Sequence, residues 1–248
     1  MTDETDFIDI QPWPIAEQLG HLMASVAIAR RGMMEMEDAS DPFEVETDRF
    51  ELESWARLEL GAWLTAEDFA ILEVPVGQLS FEQEETCDQR LLAASTIAWA
   101  VRAGEVDHLP VLADGAAESA TVEWAPGPWT HVRNVQNTLR LRSDEELAAE
   151  RERWEIIRWR SELFEDPAMA EEARRVLQEA VAEIVEGNLL ATVDNDIALD
   201  DGKPFSTLAP EQLDDVGAVA TVRLQTLNWV CGFGDSPVTA PLFLDEED

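Results

Sequence analysis

Val216–Gly234, VGAVATVRLQTLNWVCGFG, is the most apolar run of the chain. It is long enough to cross a bilayer, so its reading separates a membrane protein from a globular one. Arg223 stands at its centre and Gln225 and Asn228 follow, groups that a lipid-facing helix tolerates poorly. From Val216 the helix is apolar nearly all round, which predicts a central element buried within a protein core.

Outward from that run, helix signals recur. Thr65 with Asp68, Ser80 with Gln83 and Ser143 with Glu146 have capping-box spacing. Asp166-Pro167 is another start, with proline at the first helical position, and Gly104 and Gly187 stand where helices should end. These signals predict helices over 13–37, 49–63, 66–74, 81–103, 143–164, 167–186 and 210–231. The sixth carries one apolar stripe, Met169, Ala173, Val176, Leu177, Ala180, Ile184 and Val185, with its glutamates mainly off that stripe. Between Gly104 and Arg142 the periodicity breaks down into turn formers, two tryptophans and three prolines. The expectation is a mainly α, multi-helix, bundle-like domain over residues 1–248. It has an irregular central excursion at 104–142, with room for a short strand or hairpin, and an acidic tail at 244–248.

Composition narrows function less than fold. The chain has 248 residues with 53 acids against 17 bases, a net charge of −36, and Lys203 is its single lysine. The acids are spread through the sequence at helical spacing, not gathered in one block. That pattern fits a solvated acidic surface such as a salt-adapted proteome carries, a surface that docks on a basic protein, or a nucleic-acid mimic. Direct DNA or RNA binding is disfavoured, because most of the surface would repel phosphates. The start, MTDETDFIDI, has neither basic nor apolar signal character, and Cys87 and Cys231 form no framework. The expectation is a cytoplasmic protein with buried, reduced thiols and no membrane segment.

Four pieces, CDQRLLAASTIAWAVRAGEVDHLP (87–110), SDEELAAERERWEIIRWRSEL (143–163), DDGKPFSTLAPEQL (200–213) and RLQTLNWVCGFG (223–234), resemble in order and spacing the bacterial and archaeal domain of unknown function 4272. The resemblance runs from about Trp55 to Gly234. Its most specific points are Trp99, Trp159-Arg160, Gly202-Lys203-Pro204, and Arg223 with Leu227-Asn228-Trp229. Val222 and Thr226 depart from the acid and the alanine that the family usually places there, and DSPVTAPLFLDEED replaces its Trp-Asp-rich ending. The resemblance implies a mainly helical fold and no assigned chemistry.

Two segments invite a functional reading. ATVDNDIALDDGKPF (191–205) is dense in carboxylates, yet neither register of a calcium loop works. With Gly202 at position six, Ile197, Leu199 and Leu208 occupy positions one, three and twelve. It reads as a loop in which Asp200-Asp201-Gly202 turns while Leu199 and Phe205 anchor to the core. Glu105 and His108 have di-iron spacing but no twin motif. No metal, cofactor or catalytic residue is expected, since no motif for one is present.

The arginines form the second group. Six of the 17 bases lie between Arg140 and Arg160. Arg151 and Arg158 fall beside the apolar face of Leu147 and Trp154, while Ile156, Trp159 and Leu163 make a second apolar face. A guanidinium there must be paired or must line a pocket, because an unpaired buried charge costs several kcal/mol. The candidate ligand site for an anion or carboxylate is Arg151, Trp154, Arg158, Trp159, Arg160, Arg223 and Asn228. The competing reading is internal neutralisation, with i,i+4 pairs Arg151–Glu155 and Arg158–Glu162. The leading functional expectation is a non-enzymatic interaction or accessory protein that meets a protein partner. The alternatives are an anion-binding protein or enzyme using the arginine pocket, and an immunity-type inhibitor that mimics nucleic acid.

Overall fold

In the computed structural model, residues 10–36, 42–104, 106–112, 115–163, 170–187 and 190–244 are described. Among them are nine α-helices: α1 (Ile15–Met33), α2 (Pro42–Glu59), α3 (Ala66–Glu73), α4 (Phe81–Ala100), α5 (Ala116–Trp124), α6 (Arg133–Gln136), α7 (Asp144–Glu162), α8 (Ala170–Gly187) and α9 (Pro210–Val230). The fold is mainly α, as the periodicity predicts. All three capping boxes form: at α3, α4 and α7 the Thr65, Ser80 and Ser143 hydroxyls accept the N3 backbone N–H, and the N3 side chain reaches back. Pro210 opens α9 at the position where its missing N–H goes unneeded.

The long helices α1, α4, α9 and α7 pack in that order, each on the next, so α9 has neighbours on both sides. Trp229, Leu227, Val230 and Leu224 in its C-terminal half are essentially inaccessible. Its N-terminal half is different: Ala218 is exposed and Val219 and Val222 are only half-buried. The expectation of burial nearly all round therefore holds for the C-terminal half, whereas the N-terminal half buries Val216 and Ala220 and leaves its other face partly open. Close approach in the row needs small residues. A Cβ on Gly32 would sit 2.5 Å from Cys87 Cβ at the α1–α4 contact, and one on Gly20 would lie 2.1 Å from the Trp63 indole.

Four expectations are corrected. The 104–142 stretch is not wholly irregular, because α5 occupies 116–124 and packs on α4 and α1. The missed signal is short and alanine-rich, AAESATVEW, and its packing surface is supplied by other helices. The hairpin lies elsewhere: β1 (Thr192–Val193) pairs antiparallel with β2 (Asp196–Ile197) around Asp194 and Asn195, both at positive φ (51° and 61°). That is the two-residue type I′ geometry that Asn and Asp tolerate. Helix α4 ends earlier than Gly104, with Arg102 itself in the left-handed region at φ 52°, while Val185 is exposed, off the stripe assigned to it. Asp166-Pro167, Met169, Glu105 and the tail residues 245–248 lie outside the described residues. No helix of the described chain is long and apolar enough to cross a membrane.

Candidate functional site

The arginines satisfy two kinds of acceptor. The first is the set of orphan carbonyls at helix C-termini, where a cation also meets the negative end of the helix dipole. Helices α3, α4 and α5 carry no basic residue in their last turns. Each is capped instead from elsewhere in the chain. Arg31 donates to Val74 and Pro75 and Arg49 to Leu72 beyond or within the last turn of α3. Arg142 donates to Trp99 O at 2.8 Å on α4, stacking on the Trp99 ring, and Arg30 donates to Val122 in the last turn of α5 and to Ala125 and Pro126 just beyond it.

The second acceptor is the buried carboxylate. Arg223 donates to Glu118 at 3.0 Å and to Pro110 O at 2.7 Å, with its guanidinium over the Trp154 ring at 4.6 Å. Glu118 also accepts from the Ser95 hydroxyl at 3.0 Å. Arg160 grips Asp196 with two bonds of 2.7 Å, and Asp196 further accepts from the Ser206 and Ile197 N–H groups. Burial alone would push the Asp196 carboxyl up, but Arg160 and the two backbone donors outweigh it and hold it below the usual range. Arg90 pairs with Asp68 through bonds of 2.7 Å to both oxygens.

The candidate residues therefore go to separate places. Arg151 reaches Asn228 Oδ1 at 2.7 Å and Glu155 at 3.0 Å, while Asn228 donates to Pro241 O in the C-terminal segment. Trp154 and Arg223 are brought together at Glu118, and Arg160 sits apart at the hairpin. Arg158 pairs with Glu162 at 2.5 Å and lies over the Phe243 ring. Arg158 and Trp159 do line a hollow of about 400 Å³ between α7, α8 and Leu242-Phe243, but Glu152, Glu155 and Glu162 line it too. A carboxylate ligand would meet more negative than positive charge there.

The acidic loop of 191–205 behaves as a scaffold. Gly202 turns at φ 79°, Leu199 and Phe205 are buried, and Asp201 accepts from the Lys203 N–H and ammonium. Asp200 pins the neighbouring connection by accepting the Val111 N–H at 2.6 Å, with His108 at 3.2 Å. Leu109 O of the same connection accepts from Arg153. Among the described residues no three His, Cys, Asp or Glu side chains are grouped so as to hold a metal. The thiols of Cys87 and Cys231 are pushed up by burial to about 11 and about 12, which is the signature of inert core cysteines.

A larger hollow, about 660 Å³, opens between the N-terminal halves of α4 and α9. Leu92, Val111, Leu112, Val216, Val219 and Val222 form its floor, with Glu85, Asp88 and Asp215 around it. Burial, and then the nearby Glu85 charge, push the Asp88 carboxyl above the ordinary value. The sequence reading missed this place because it sought unusual cations, and here the unusual feature is the absence of any.

Compared with known proteins, the chain matches no family model, no curated protein and no solved structure.

Proposed function

We propose that this protein is a non-enzymatic accessory protein of the cytosol that acts by binding another protein through its acidic exterior. We further propose that it is a divergent relative of domain of unknown function 4272. The partition of charge carries this reading. Arginines are drawn inward to helix ends and buried carboxylates, which leaves a chain of net charge −36 with its excess acids facing outward. Such a surface raises the encounter rate with basic partners and repels nucleic acid. The Ser95 hydroxyl is buried against a Glu118 carboxylate already held by Arg223, and the two thiols are sealed by burial.

Affinity purification of the tagged chain from its native cytoplasm, at native salt, tests the reading. A stoichiometric protein partner is the expected result. A chain that elutes alone would reduce the acidity to solvation, and a retained small metabolite would move the function to ligand binding.

A further inference from the structure

The open hollow is a groove between one face of α4 and one face of α9, with Val111 and Leu112 completing its floor. On α4 the lining residues Glu85, Asp88 and Leu92 recur at helical spacing, and Phe81, 79% exposed, extends the same face by one more turn. On α9 the lining runs from Gln212 to Val222, about 15 Å of helix. Further along the same two helices, Ser95 and Arg223 converge on Glu118, so the groove is closed at that end and open at the Phe81 end. Its floor is aliphatic. Glu85, Asp88 and Asp215 make no ion pair or hydrogen bond among the described residues, and the lining contains no basic side chain.

We propose that the α4–α9 groove is the docking site for a basic amphipathic helix of a partner protein, whose aliphatic face covers Leu92, Val219 and Val222 while its lysines or arginines meet Glu85, Asp88 and Asp215. This rests on the interaction reading above and gives it a location. Charge selects the occupant. A second copy of this chain would bring a further net charge of −36, and the terminal segments MTDETDFID (1–9) and DEED (245–248) are acidic as well. Each would be repelled by the rim, whereas a cationic helix would satisfy both the floor and the carboxylates. Asp88 points the same way: exposed at the rim yet partly desolvated and beside Glu85, its carboxyl is pushed above the ordinary value, and among the described residues no cation pairs with it. An incoming ammonium or guanidinium relieves that cost.

Fluorescence anisotropy with a labelled Leu/Lys amphipathic peptide of about 14 residues, or about 21 Å of helix, tests the proposal. The Leu/Glu counterpart and a scrambled Leu/Lys peptide serve as controls. The wild-type chain should bind the amphipathic Leu/Lys peptide at least tenfold more tightly than either control. D88K/D215K should weaken that binding at least tenfold and V219E should do the same. E67K/E123K, which changes charge equally away from the groove, should alter it less than twofold. Circular dichroism and thermal unfolding of each variant confirm that the fold is retained.

Equal weakening by E67K/E123K, or equal affinity for the scrambled peptide, would overturn the groove in favour of diffuse attraction. Displacement of the peptide by dodecylamine at a lower concentration than by unlabelled peptide would reassign it to a small amphiphilic cation. A wild-type dimer in sedimentation that D88K/D215K dissociates would reassign it to self-association. Repeating the native purification with D88K/D215K separates the two levels of the reading. Loss of the wild-type partner supports the groove. A partner kept by both chains leaves the interaction reading standing and removes the groove, and no partner for either chain removes the reading itself.

Discussion

The same two helices, α4 and α9, are sealed at one end and open at the other. Toward their C-termini, Ser95, Glu118, Arg223 and Trp154 form a packed, charge-matched centre. Arg223 is fully buried there, as is the Trp154 ring beneath it. Toward their N-termini the helices flank an open hollow with an aliphatic floor, edged by acids that make no ion pair among the described residues. Hydrophobicity alone does not separate the halves, since Val216, Val219 and Val222 are as apolar as the residues that follow. The difference lies in where the few cations are placed. A buried guanidinium lets a carboxylate enter the core and draws α5 and the 108–111 connection down onto the helix pair. Where no guanidinium is present, the acids stay at the surface and the apolar faces between them open onto a hollow.

The largest effect should come from breaking the sealed end. Arg223→Met leaves Glu118 buried with only Ser95 to answer it, and truncating one partner of a buried pair costs about 3–5 kcal/mol. Urea unfolding should therefore show a much earlier midpoint. The double variant R223M/E118Q should recover at least ~2 kcal/mol of that loss, because removing both charges ends the uncompensated desolvation. If the double variant is no better than the single one, the carbonyl of Pro110 and the Trp154 stack hold this end together, and the charge match does not.

A pH titration sharpens the comparison. His21 is buried beside Trp229, with ring centroids 4.7 Å apart in an edge-on arrangement. Burial lowers its pKa from 6.5 to about 4, against the opposing pull of Glu17 and with a further push from Arg90. The unfolded chain then binds a proton between those two values that the folded chain refuses. Stability from this group is present above pH 6.5, falls as the pH drops toward 4, and changes no further below that. The total is at most about 3 kcal/mol. Unpaired surface acids act in the opposite direction, since their protonation relieves repulsion. The difference between wild type and His21→Gln across this window isolates the buried group, and it should narrow steadily as the pH falls. A pH-independent difference would mean that His21 is hydrated in the folded chain.

Much of the helical layout is legible in the sequence because caps are local: Thr65, Ser80 and Ser143 each meet their partners three residues away. The pairs Arg151–Glu155 and Arg158–Glu162 are legible for the same reason. Arg223–Glu118 is not, because the two residues are 105 positions apart and α5 exists only as a helix that α1 and α4 pack against. The requirement that Arg223 be neutralised can be read from its apolar neighbours, but the identity of its partner cannot. The groove is hidden for a related reason. Val219 and Val222 carry the same signal as a core residue, and only the hollow between α4 and α9 shows that they stay half-buried among the described residues.

The smallest expected effect tests the open end most directly. Asp68 and Asp88 stand at opposite ends of this comparison: Asp68 is 1% exposed with both oxygens on Arg90, while Asp88 makes no ion pair among the described residues. Aspartate to asparagine is the same chemical change at either position. At Asp68 it strands Arg90 and weakens the cap on α3, so stability should fall by about 3 kcal/mol or more. At Asp88 the carboxyl is disfavoured in its charged form, so at neutral pH D88N should be neutral or slightly stabilising, within about 0.5 kcal/mol. Chemical denaturation of the two variants under identical salt measures both. A loss at Asp88 approaching that at Asp68 would mean that its carboxylate holds the folded chain together, and a site that structure depends on is not one kept free for a partner.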